Sequence, residues 1–222
     1  MPSGNLYLLS SSLGSNADLF AQQILFRNVS DEGKVAYYTV ERSSLDVIGD
    51  MELFGMNIED YLKNGLWVFT RLVVPSMKGL IGTMPEVLQE KKLDLVSLLE
   101  LGKNFEEKVK QGFNTALHLS HLIRNFSIEE IQNLLFFMAD VSRKYGGIHF
   151  LLMTEDSHEK NLVVTIKDTV DSVFEFTSQV RDAEIENILT IRKIRNMIPK
   201  ARVLILSVKN TGLVTETTSR IS

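Results

Sequence analysis

The chain has 222 residues, 44% of them hydrophobic, a net charge of −4 and no cysteine. That length suits one sizeable α/β core, and residues 1–222 are expected to form a single domain. The acidic balance argues against a chain-wide nucleic-acid surface, the missing cysteines exclude disulfides and thiolate metal sites, and no apolar run approaches the roughly 20 residues of a membrane span.

In chain order, Leu6, Tyr7, Leu8 and Leu9 form an apolar, strand-like run, and residues 19–26 follow with a helical pattern. The N-terminus lacks a basic segment followed by an apolar one, so no signal peptide is read and a cytoplasmic location is expected. Residues 35–40 read as a buried strand entered through the turn Asp31-Glu32-Gly33-Lys34. Ser43 or Ser44 caps a helix with Asp46 in its first turn, and Gly55 stops it. Residues 66–74 form a second parallel strand between Gly65 and Pro75. Gly79, Gly82 and Pro85 mark an irregular excursion. It carries Leu80-Ile81, which suits a partner-binding loop or a buried crossover equally.

Residues 93–109 read as a helix, with Phe105, Val109 and Phe113 on one face. Residues 115–119 form a short strand. Ser127 and Glu130 have the spacing of a capping box, opening a helix that runs to about Tyr145 and ends at Gly146-Gly147. Residues 148–153 form the next buried strand. From Val173 onward the pattern alternates over 173–177, 185–191 and 203–208, and Lys209-Asn210-Thr211-Gly212 supplies turn chemistry. The expected assembly is a mostly parallel sheet flanked by helices, with an antiparallel C-terminal extension.

The first strand and helix enclose Ser10-Ser11-Ser12-Leu13-Gly14-Ser15-Asn16-Ala17-Asp18. Strand, glycine-containing loop and helix is the setting of a phosphate-binding P-loop, whose pattern is Gly, four residues, then Gly-Lys-Ser/Thr. On that frame Ser11 and Asn16 replace the two glycines, Ala17 replaces the lysine and Asp18 replaces the hydroxyl.

This order of elements, with these local sequences, resembles the RecA-like ATPases of the KaiC type, and among them the single-domain archaeal members of the FlaH kind. Four places carry the likeness. They are the strand, loop and helix through Phe26; the strand ending Thr39-Val40-Glu41-Arg42; the stretch Met51-Glu52-Leu53-Phe54-Gly55 with the later Asn64-Gly65-Leu66; and Lys193-Ile194-Arg195-Asn196, similar to the family's K-x-R-G element. The resemblance implies a RecA-like P-loop NTPase fold. It also implies side-by-side assembly, either self-association or pairing with a RecA-like paralogue.

A magnesium triphosphate needs an amide cradle, a cation on the outer phosphates, a hydroxyl on the metal and an acid beside it. Gly14 and Ser15 retain part of an amide nest. Ala17 removes the cation, and Asp18 places a carboxylate where phosphates would press. The family's second acidic motif would end the strand Thr115-Ala116-Leu117-His118-Leu119-Ser120, where Leu117 or His118 stands instead. The expectation is therefore a catalytically inactive, KaiC-like pseudo-ATPase serving a structural or regulatory role, with no cofactor, no metal and no membrane or nucleic-acid partner. Two alternatives are an ATPase with an atypical P-loop and a recombination mediator touching DNA through residues 192–200.

In the resembled family, the Glu41 position orients the attacking water; without phosphate and metal it is read as a vestigial, hydrogen-bonded acid. For Lys193 and Arg195 the resemblance implies a finger reaching a neighbour's γ-phosphate; their alternate placement on one strand allows that role, and equally suits a basic face on an edge strand. His118 and His121 lie three apart, but no further ligand completes a zinc shell, and His149 and His158 add none. Glu155, Asp156 and Glu159 read as a solvated acidic cluster.

Overall fold

The computed structural model describes residues 1–40, 42–74, 90–181, 184–199 and 202–216. Ten strands form one sheet: β1 (Asn5–Ser11), β2 (Lys34–Thr39), β3 (Trp67–Val73), β4 (Glu90–Asp94), β5 (Phe113–His118), β6 (Ile148–Thr154), β7 (Ser172–Arg181), β8 (Glu184–Lys193), β9 (Val203–Lys209) and β10 (Gly212–Thr215). Their spatial order is β10-β9-β8-β7-β1-β6-β5-β2-β3-β4. Strands β1 to β7 run parallel, and β8, β9 and β10 add an antiparallel wing on the β7 side.

The central strands are apolar throughout because helices cover both faces of the sheet. Leu6, Leu8, Tyr38, Leu117 and Leu151 pack under α4 (Leu98–Lys110), α5 (Leu119–Asn125), α6 (Ile128–Tyr145) and α7 (Lys160–Thr169). Tyr7, Leu9, Val35, Tyr37, Phe150 and Leu152 pack on the other face, against α1 (Ala17–Ser30), α2 (Ser44–Leu53) and α3 (Glu59–Lys63). Adjacent residues of β1 thus point to opposite cores, as the two-residue period of a strand requires. Phe176 of β7, with Leu189 and Leu206 of the wing, joins the second core, while Val203 and Val208 are exposed.

Several helix starts are fixed by local sequence. Ser43, Ser97 and Ser127 each form a capping box, with Asp46, Glu100 and Glu130 respectively. Each box satisfies two amides that the first helical turn leaves without partners. Ser43 is the cap of α2, and Ser44 is its first helical residue. The excursion at Gly79, Gly82 and Pro85, with Leu80-Ile81, lies outside the described residues.

Three expectations are corrected. Residues 93–94 belong to β4, and the helix expected from residue 93 starts at Leu98, because Ser97 and Glu100 cap it there. Phe105 and Val109 share the buried face of α4, but Phe113 opens β5, since Gly112 leaves the helix at φ +84°. The strand expected over 115–119 runs Phe113–His118, and Leu119 starts α5 directly. Helices α3, α5 and α7 have no counterpart in the pattern read from the sequence.

Candidate functional site

The parallel topology carries β1 and β6 side by side and brings the loop 12–16 to the carboxyl ends of the strands, where open α/β sheets place ligands. Gly14 sits at φ +79° with no atom within 4 Å of the position of a β-carbon. The left-handed conformation explains glycine there; space does not. Helix α1 begins at Ala17, so Ala17 holds the helix-opening place that the lysine has in the P-loop frame. Ala17 is buried, whereas Leu13 is 84% exposed.

The amides of this loop are partly committed within the chain. Ser12 N–H donates to Phe176 O at 3.0 Å, and Ser15 N–H to Ser12 O at 3.2 Å. Leu13 N–H donates to the Asp156 carboxylate at 3.0 Å. Ser11 Oγ donates to Met153 O at 3.3 Å, and Ser10 Oγ to the Glu155 carboxylate. Asn16 caps α1 without a side-chain bond, and the buried Ser15 Oγ finds no hydrogen-bond partner.

Asp18 reaches across to the end of β5. Its Oδ1 is 3.3 Å from His118 Nε2, and Tyr37 OH is 3.4 Å from the same nitrogen. Burial lowers the His118 pKa; the Asp18 carboxylate opposes that shift and Arg42 reinforces it. The net direction is downward, so the imidazole is neutral near pH 7 and offers no positive charge to an anion. Burial likewise pushes the Tyr37 hydroxyl's pKa up, which keeps it protonated. Arg42 is paired with Asp50. A cavity of about 240 Å³ opens here, lined in part by Ala17, Asp18, His118, Ser120, His121 and Arg124. Small-molecule sites commonly span roughly 300–1,000 Å³.

Behind the loop runs a chain of ion pairs. Lys167 Nζ is 2.7 Å from Glu155 and 2.7 Å from Glu175, and Glu175 also pairs with Arg192. Burial acts to raise the Glu175 pKa, but Lys167 and Arg192 outweigh it and hold the carboxyl below its ordinary value. Burial acts to lower the Lys167 pKa, and Glu155 and Glu175 raise it past the ordinary value. The acidic cluster is thus corrected in one member, since Glu155 is ion-paired; Asp156 is exposed, as read, and also accepts from a loop amide.

The two cations proposed as a finger do not lie on one strand. Strand β8 ends at Lys193, so the alternation argument fails for Arg195. Lys193 Nζ donates to the carbonyls of Asp168 at 3.0 Å and Lys167 at 3.4 Å, covering the last turn of α7. Arg195 pairs with Asp171 at 3.3 Å, alongside Arg143 at 2.7 Å. Glu41 lies outside the described residues. His118 and His121 line one cavity, but His149 is elsewhere, buried between Thr115 and Gly146. Among the described residues, no group of three His, Cys, Asp or Glu side chains is placed to hold a metal ion. No described helix is long and apolar enough to cross a membrane.

The frame reading took Ser11, Gly14, Ser15, Asn16, Ala17 and Asp18 as one loop; Gly14, Ser15 and Asn16 lie in the loop, whereas Ser11 ends β1 and Ala17 and Asp18 open α1. It missed Tyr37 and the role of Asp156. Tyr37 hides in an apolar strand, and Asp156 is about 140 residues from the loop it touches.

Comparison with known proteins accords with this architecture. The family model described as "ATPase: KaiC" matches residues 1–219. A UPF0273 protein of Thermotoga maritima is 24% identical over 111 residues, half of this chain; the chain spans 44% of that relative's length. The flagellar accessory protein FlaH from Methanocaldococcus jannaschii superposes with a TM-score of 0.70 at 13% identity, covering 98% of this chain and 92% of that one. A KaiC-like protein from Pyrococcus horikoshii OT3 superposes with a TM-score of 0.74 at 16% identity, with the same coverage. These two likenesses establish the fold, a RecA-like α/β domain.

Proposed function

The chain belongs to the KaiC family of ATPase domains, and from that premise we propose that it is a catalytically inactive member, a structural or regulatory subunit of a protein assembly. The observation that carries this reading is the meeting of Asp18 and His118. Asp18 holds the place of the metal-binding hydroxyl on the P-loop frame, and the place of the family's second acid falls to His118 or its neighbour Leu117. Here a carboxylate and a neutral imidazole face each other at 3.3 Å. A magnesium triphosphate does not fit that arrangement. The ion would lose both of its protein partners, and the γ-phosphate would lose the lysine that Ala17 replaces. Asp18 would also repel the phosphates. One charged hydrogen bond contributes about 1.5–3 kcal/mol, so the absent lysine alone weakens binding roughly 10- to 100-fold.

The companion of such a subunit is a second copy of this chain or a RecA-like paralogue, and its setting is cytoplasmic. A finger role for Lys193 and Arg195 would require both to leave internal partners, Arg195 its ion pair with Asp171. The same engagement weakens the DNA-mediator reading, since Arg192 is also paired. One observation favours residual nucleotide binding: Gly14 keeps its left-handed turn and Ser15 Oγ is unpartnered.

Thermal melting with millimolar ATP and magnesium tests the proposal. A ligand that binds the folded chain must raise its melting temperature. The inactive reading expects no rise beyond that of magnesium chloride alone and no phosphate release. A rise of several degrees, with turnover, overturns it.

A further inference from the structure

We propose that Asp156 serves as a built-in substitute for a phosphate group, holding the loop in its ordered form without nucleotide. The inference rests on the inactive reading above and goes further: one amide of the loop, Leu13 N–H, is occupied by the chain's own carboxylate.

Three contacts support this. Leu13 N–H, in the middle of the loop, donates to Asp156 Oδ2 at 3.0 Å. Oriented backbone amides of this kind are the groups by which such loops take up oxyanions. Glu155 accepts from Ser10 Oγ, and Met153 O accepts from Ser11 Oγ at 3.3 Å. The end of β6 is therefore attached to β1 and its loop at three points within four residues. The attachment follows from topology: β1 and β6 pair in parallel, with Ser11 opposite Thr154. The single 3-10 turn Glu155–Ser157 then projects directly over the loop.

The turn is itself anchored. Glu155 pairs with Lys167 at 2.7 Å, Lys167 with Glu175 at 2.7 Å, and Glu175 with Arg192. The carboxylate on the loop is thus tied through α7 and β7 to the antiparallel wing. A tetrahedral oxyanion approaching Leu13 N–H has to displace Asp156, because one amide proton serves one strong acceptor and two anions repel at that separation. Deleting the carboxylate frees the amide for an external oxyanion.

The full-length chain and D156A are melted with sodium pyrophosphate and with sodium chloride at matched ionic strength. D156A is expected to melt on the order of 2–4 °C below wild type in chloride. Pyrophosphate is expected to restore much of that loss while leaving wild type unmoved. Equal midpoints in chloride, or an equal response of the two proteins to pyrophosphate, overturns the proposal. If D156A does not fold, D156N removes the charge while keeping an acceptor, and it must then respond to pyrophosphate more than wild type does. The two readings fail separately. A magnesium–ATP shift with phosphate release in wild type removes the inactive assignment, whereas indifference of the Asp156 variants to pyrophosphate removes only the substitute phosphate.

Discussion

The two edges of the parallel sheet are built from similar residue types and behave differently. At the edge where the strands begin, several buried polar groups are multiply partnered, although Trp67 Nε1 at the start of β3 has no hydrogen-bond partner. Asp171, 2% exposed, accepts from Arg143, Arg195 and Leu6 N–H. His149 sits between Thr115 Oγ1 at 3.1 Å and Gly146 O at 2.8 Å, and Asn114 bridges Asn28 and Ile148 N–H. At the edge where the strands end, Ser15 Oγ has no hydrogen-bond partner, and a carboxylate faces a neutral imidazole. Buried polar groups are normally satisfied, and exceptions gather where a fold has been shaped for something other than stability. The first edge holds the domain together; the second carries the loop at which we propose an inactive nucleotide site.

If that contrast is real, Asp171→Ala costs about 3 kcal/mol, because it strips two arginines and a buried amide of their shared acceptor. Asp18→Ala, on the other edge, costs under about 1 kcal/mol, the range of a carboxylate at an exposed helix start. Urea denaturation of both variants checks the pair, and equal losses would erase the distinction.

The starting edge is also expected to carry part of the acid sensitivity. Burial lowers the His149 pKa to about 4, with the Gly146 carbonyl opposing the shift. The unfolded chain takes up its proton near pH 6.5, well before the folded chain does. The stabilisation is therefore complete above about pH 6.5 and is lost as pH falls through 4, amounting to about 3 kcal/mol. His118, on the other edge, is shifted in the same direction and adds to the acid loss, so His149 carries only part of it. Stability measured against pH should fall across that window, and His149→Asn should flatten the slope; an unchanged slope would place the sensitivity elsewhere.

Repairing the other edge is a sharper test of what it lacks. Ala17→Lys with Asp18→Ser restores the cation and the hydroxyl, and is expected to tighten ATP binding roughly 10- to 100-fold over wild type by equilibrium titration. The smallest effect belongs to Lys193→Ala. Its ammonium covers the last carbonyls of α7, a helix-end contact that contributes about 0.3–1 kcal/mol, readable as a small drop in the urea midpoint.

Much of this contrast was legible in the sequence, and the reasons differ by element. The central strands announced themselves because both faces are buried, which leaves unbroken apolar runs such as Leu6 to Leu9. The Ser127–Glu130 box and the cap at Ser43 announced helix starts by local hydrogen bonding alone, while the Ser97–Glu100 box went unread inside an apparently continuous helical pattern. Strand β4 did not, since Glu90, Lys91 and Lys92 form a charged sheet edge whose pairing with β3 is decided by tertiary contact. Helix α7 was missed because Val163, Val164, Thr165 and Ile166 are β-branched and favour strands in isolation. At the site, the changes at Ala17 and Asp18 were readable from the P-loop frame. The contact of Asp18 with His118 was not, because it exists only once β6 lies beside β1 and β5 beside β6.

Isothermal titration of magnesium–ATP into the wild-type chain, with the Ala17→Lys, Asp18→Ser variant run in parallel, bears most directly on the central claim. The account predicts no saturable heat for wild type at concentrations where the variant binds. A wild-type isotherm as tight as the variant's would contradict it.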